Sequence, residues 1–204
     1  MSVSVYIKAS CIIRDHRIIK NGLVIFEGTD TGLPNFLNQS YQFLETKYPK
    51  FYKMDHLSKM GWLAAEVLLK ESFDRAQYRA EDIGVVLMNA NSSLDADIKY
   101  FESTKDIASP SLFVYTLANI VIGEISIKNN FKGESAFFIF EKFDAGFLTD
   151  YVSNLFSNNI VEVCICGWVE VLGETYKTAL YLIEKEGAAD MAFTKENLNK
   201  IYQS

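Results

Sequence analysis

The chain has 204 residues, 49% of them apolar and 23% charged, with a formal net charge of −6. That is the length of one domain and the composition of an ordinary globular core, which excludes wholesale disorder. Acidic and basic residues are interspersed, so the concentrated basic face of a nucleic-acid binder is absent, and no apolar run reaches the length of a membrane span. Three cysteines make no disulfide framework. The first residues, MSVSVYIKAS, lack the three regions of a signal peptide, so a reducing cytoplasm is the expected location.

In chain order, residues 3–12 are rich in Val, Tyr and Ile and predict a first strand. Asn21-Gly22 between β-branched flanks predicts a hairpin over 17–26, because both turn positions want positive φ. A turn-rich break from Thr29 to Pro34 precedes a helix expected over about 35–47. Residues 54–73 place Leu57, Met60, Ala64, Val67 and Leu68 on one helical face, with Asp55 as N-cap. Gly61 is a mild cost inside that helix. The apolar run 83–90 reads as a strand buried on both faces. Ser93 is placed to cap a helix at 94–104.

Pro110 suits the first turn of the next helix, and Asn130 suits a left-handed C-cap. Residues 135–140 predict a strand, 146–157 a helix, and 161–172 and 176–186 two further strands. The polar tail 187–204 carries a short helix starting near Thr194. Strands alternating with helices predict an α/β layer structure with a mainly parallel sheet.

One set of residues carries a resemblance. Ser109, Pro110, Phe113, Thr116, Leu117, Asn119, Gly123, Ile125, Ile127, Lys132 and Gly133 stand in the order Ser-Pro, aromatic, Thr-Leu-x-Asn, Gly-x-Ile-x-Ile, Lys-Gly. Lys53-Met54-Asp55 before a helix with Ala64-Ala65, and Glu81-Asp82 before Ile83-Gly84-Val85-Val86, add to it. The whole resembles the β-ketoacyl synthases of the thiolase fold, over about residues 53–186. The resemblance implies the N-terminal half of that fold, a mixed, mainly parallel five-stranded sheet between helices. It implies a single thiolase-like domain over 1–186, followed by the tail 187–204. It also makes Phe113, Thr116, Asn119, Phe138 and Phe140 candidates for a pocket or an interface.

In such synthases a Cys at a helix N-terminus is the nucleophile, its pKa lowered by the helix dipole. The matching segment here is Phe140 to Gly146, which puts Phe143 or Lys142 at that position. Neither is a Cys, Ser or Thr, so no catalytic residue is assigned. His16 and His56 both precede this region and are read as structural or surface residues. Cys11, Cys164 and Cys166 read as small apolar core residues, and no metal or cofactor is expected. Glu141, Lys142 and Asp144 read as a solvated loop before they read as a remodelled pocket mouth. Phe137, Phe138, Phe140 and Phe143 could face a partner or pack a core.

Three functions follow from the resemblance. The first is a catalytically incomplete accessory subunit in fatty-acid or polyketide-like acyl-chain synthesis. It would form a homo- or heterodimer and work with a ketoacyl synthase subunit or an acyl carrier protein. The second is a 3-oxoacyl synthase or acyltransferase completed by another chain. The third is an acyl-ligand-binding module. No nucleic-acid or membrane partner is expected.

Overall fold

The structure is a computed structural model and describes residues 4–29, 32–185 and 191–204. Strand β1 (Tyr6–Arg14) leads into the hairpin β2 (Arg17–Lys20) and β3 (Leu23–Glu27). Asn21 and Gly22 adopt φ of 50° and 80°, the left-handed pair a two-residue turn requires. The Asn21 side-chain oxygen accepts the Ser10 N–H at 2.8 Å, tying the turn to β1.

Helix α1 (Leu33–Phe43) begins earlier and ends sooner than its periodicity predicts. Pro34 lies in its first turn, where a missing N–H costs nothing, and Glu45 turns left-handed at φ 53° just beyond its end. Helix α2 (His56–Leu69) is capped as expected: the Asp55 carboxylate accepts the N–H groups of Leu57 and Ser58. Gly61 is a packing requirement, because a Cβ there would lie 2.3 Å from Val121 on the helix that crosses α2.

Strand β4 (Ile83–Asn89) is buried along its whole length. Then come α3 (Leu94–Ser103), α4 (Pro110–Phe113) and α5 (Ile120–Asn129). Ser93 precedes α3 but does not cap it with its side chain. Its hydroxyl instead donates to the Thr116 carbonyl at 2.9 Å, because that acceptor lies across the α4–α5 link. Asn130 closes α5 in the left-handed conformation, φ 54° and ψ 46°. Gly133 then passes against β4, where a Cβ would come within 2.6 Å of the Ile83 carbonyl.

Strand β5 (Ser135–Ile139), helix α6 (Ala145–Ser157) and strands β6 (Val163–Leu172) and β7 (Thr175–Glu184) complete the central fold. A short β8 (Met191–Ala192) pairs with β1, and helix α7 (Lys195–Gln203) follows, capped by the Thr194 hydroxyl. The boundary expected at 186/187 lies outside the described residues.

The strands form one eight-stranded sheet in the order β3-β2-β1-β7-β6-β4-β5, with β8 beside β1. The expected five-stranded, mainly parallel sheet is therefore corrected. Only β4–β5 and β4–β6 pair parallel; the other pairs are antiparallel. Five strands, β1-β7-β6-β4-β5, form the centre, four running one way and β7 reversed. The hairpin and β8 widen the β1 side, because the Asn21-Gly22 turn folds β3 back onto β2 instead of toward a helix.

Alternation along the central strands splits their side chains between two cores. Val85, Leu87, Ile165 and Leu182 face one helical layer, α1, α2 and α5. Val86, Met88, Cys164, Cys166 and Tyr181 face the other, α6 and α7. No helix among the described residues is long and apolar enough to cross a membrane.

Candidate functional site at the carboxyl ends of the parallel strands

From β4 the chain goes first to β5 on one side and then to β6 on the other. Such a reversal opens a crevice at the carboxyl ends of the strands, the usual ligand position in α/β sheets. Here it is a cleft of about 430 Å³ whose walls include Asn91, Phe143, Trp168, Glu170, Lys177 and Tyr202.

The β4–α3 loop at its edge is held by buried polar groups. The Asn89 side chain accepts the Ser92 N–H at 2.9 Å and donates to the Ser92 carbonyl at 2.8 Å, fixing Ser92 at φ 51°. The Glu170 carboxylate accepts the N–H groups of Ala90 and Asn91 at 2.6 and 3.2 Å and the Asn91 amide at 3.1 Å. Burying a polar group costs free energy unless hydrogen bonds such as these replace its water contacts.

Behind the loop, Asp95 accepts Lys99 Nζ at 2.6 Å and the Gly173 N–H at 3.0 Å, with His56 Nδ1 at 3.3 Å. Burial opposes the Asp95 charge, but His56, Lys99 and the Gly173 N–H outweigh it and hold the carboxyl well below the usual range. Neither Asp95 nor Glu170 stands out in the sequence. Each is one acidic residue in a varied stretch, and each takes a backbone donor from about 80 positions away.

At the helix N-terminus that faces the cleft, Asp144 takes the N-cap of α6 and accepts the Phe147 N–H at 2.9 Å. Phe143, just before it, stacks on Tyr202 of α7 with ring centroids 4.4 Å apart, near Trp168 and Tyr181. Lys177 Nζ lies 3.8 Å from the centre of the Tyr202 ring, a cation–π contact. Burial pulls the Lys177 ammonium down from its usual range. Lys142 and Glu141 are exposed at the mouth.

Residues 140–148 contain no Cys, Ser or Thr. The three cysteines are buried within the sheet, and burial pushes the thiols of Cys11 and Cys166 up, away from the thiolate. His16 sits in the β1–β2 turn with its ring edge on Phe36 and Tyr176, while His56 belongs to the Asp95 group. Among the described residues no three His, Cys, Asp or Glu side chains gather as a metal site.

The five candidates named from the resemblance fall into two sets. Phe138 and Phe140 pack together with Phe147, on the α6 side of the sheet. Phe113 is exposed at the end of α4 beside Tyr100. Thr116 donates to the Phe113 carbonyl at 2.7 Å, and Asn119 lies at the start of α5. Asn119 lines a separate groove of about 760 Å³ between α5 and the edge strand β5.

No protein-family model matches the sequence, and no curated protein does. Solved structures match strongly. One is a type II polyketide synthase acyl carrier protein in complex with its ketosynthase bound to the hexaketide, with TM-score 0.61 and 16% identity over 90% of this chain and 63% of that one. The ishigamide ketosynthase/chain length factor gives TM-score 0.61 at 16% identity over 92% of this chain and 64% of its own. The fold is thiolase-like. A ketosynthase in complex with its chain length factor from Xenorhabdus doucetiae matches at TM-score 0.53 and 13% identity, over 78% of this chain and 74% of that one. The chain thus spans less than two thirds of the length of the first two thiolase-like structures.

Proposed function

We propose that the chain is a catalytically incomplete, ketosynthase-like accessory subunit in acyl-chain synthesis of the fatty-acid or polyketide kind. The observation that carries this reading is the α6 N-terminus. Where the resemblance places a synthase's nucleophile, this chain has either Phe143, stacked on Tyr202, or the exposed Lys142. A phenyl ring forms no acyl-enzyme, and Asp144 beside it is spent on capping the helix. What the subunit contributes is architecture, and its partners are a ketosynthase chain or an acyl carrier protein. The similar structures support this reading because they are ketosynthases with a carrier protein or a chain length factor.

Intact mass after incubation with acylated carrier protein and acyl-thioester donors tests the proposal. No adduct is expected, together with a ketosynthase whose product length or rate changes when this chain is added. One acyl group per chain, mapped to Lys142 at the cleft mouth, would favour an acyltransferase completed by another chain. No adduct and no effect on any ketosynthase, with acyl ligand retained, would favour a binding module.

A further inference from the structure

The cleft has a neighbour across α7. Tyr202 borders the cleft, whereas Ile201 lines a second hollow, of about 320 Å³, on the β1 side of the sheet. The walls of this hollow include Ile7 and Ser10 of β1, Asn21 of the hairpin turn, Met191 of β8 and Ile201 of α7. It shares no lining residue with the cleft.

Ser10 sets the hollow apart from a plain gap in packing. It is 6% exposed, and it lies two positions before Ile12, on the face of β1 turned to the α6–α7 core. A polar side chain buried to that degree ordinarily has a hydrogen-bond partner. The Ser10 main chain has its partners in Asn21: the Ser10 N–H donates to the Asn21 side-chain oxygen at 2.8 Å, and the Ser10 carbonyl accepts the Asn21 N–H at 3.0 Å. The Ser10 hydroxyl has no partner among the described residues. Because the Asn21 side-chain oxygen is taken by Ser10, its NH2 end is left as a donor at the rim. Lys8, a charged residue of the wall, is already paired with Glu184 at 3.0 Å.

We infer that this hollow binds a small neutral molecule with an apolar body and one carbonyl-type acceptor. The body lies against Ile7, Met191 and Ile201, and the acceptor takes hydrogen bonds from the Ser10 hydroxyl and the Asn21 amide. The volume is at the lower end of the range for ligand sites, about 300–1,000 Å³. Other occupants fit less well. A carboxylate wants an unpaired cation, and Lys8 is held by Glu184. An added peptide strand wants several residues of open edge. Here β8 pairs with Tyr6 and Ile7 while Asn21 bonds Ser10, so the interval between them is only Lys8 and Ala9. Water alone satisfies the hydroxyl but leaves three apolar side chains facing it. The inference goes beyond the functional reading above and does not depend on it.

Two-dimensional NMR on the isotope-labelled full chain, titrated with benzylacetone, is the test; this probe has a phenyl body and one ketone. Saturable shifts are expected at the amides of Ser10, Asn21 and Gly22. Hydrocinnamate, a similar body ending in a carboxylate, is expected to bind at least tenfold more weakly. Ser10→Ala is expected to weaken benzylacetone about five- to tenfold, the worth of one hydrogen bond. The urea midpoint of the ligand-free Ser10→Ala chain is expected to hold or rise, since the hydroxyl has no partner to lose. Ile201→Trp, which fills the hollow, is expected to abolish binding, and Met191→Trp serves if the α7 variant fails to fold. No saturable shift up to the solubility limit of benzylacetone overturns the inference. So do shifts centred on Trp168 and Tyr202, which place the probe in the cleft, equal affinity for hydrocinnamate, or an affinity that Ser10→Ala leaves unchanged.

Discussion

Asp95 shows how much of this structure rests on single polar residues. Its carboxylate joins three elements: α3, which carries it, the start of α2 through His56, and the β6–β7 turn through Gly173. A group whose folded pKa is depressed adds stability above its unfolded value, near 3.9, and loses it as pH falls below. Asp95→Asn is therefore expected to cost about 2 kcal/mol at pH 7, as for a hydrogen bond to a charged group. In urea titrations the gap between variant and parent should close as pH falls below about 4. Asp55 and Glu66, both pushed up by burial, have the opposite sign and soften the acid transition of the parent. A gap that stays constant down to acid pH would show that Asp95 acts by shape and not by charge.

At the scale of elements, the sequence was most legible where one local rule decides the outcome. Asn21-Gly22 forms the hairpin turn, Asp55 caps α2, and Asn130 turns left-handed after α5, each because a particular side chain or φ has few alternatives. The sheet was less legible. Whether strands add to an edge depends on partners distant in sequence, and β1, β7 and β8 meet only after the chain has closed. The candidate site was legible in place, since the Phe140–Gly146 segment does border the cleft, but not in content. Its clamps, Glu170 and Asp95, and its aromatic cover, Tyr202, come from remote positions. Gly167 does have a local signature, as a glycine inside an apolar strand. The structure explains it, since at φ 150° a Cβ would lie 2.0 Å from the Ala179 carbonyl on the neighbouring strand. Gly167→Ala is expected to cost about 3 kcal/mol or more by forcing β6 and β7 apart, read as a fall in the urea midpoint. An unchanged midpoint would mean that the sheet relaxes freely there.

At the scale of the molecule, two helical layers sit on one sheet, and each of the two cores between them contains one of the chain's two tryptophans. Trp62 stacks on Tyr48 within the α1–α2–α5 layer. Trp168 lies on the other face, near Phe143 and so near α7. The molecule therefore carries an optical label on each side of the sheet. In a Trp62→Phe variant all indole emission comes from the cleft side, and a shift to longer wavelength at low denaturant, before the far-ultraviolet signal changes, would report α7 lifting from Phe143. In Trp168→Phe the same scan would follow only the opposite layer. Two coincident curves would mean that the layers melt as one unit, and separated curves that the cover over the cleft opens first.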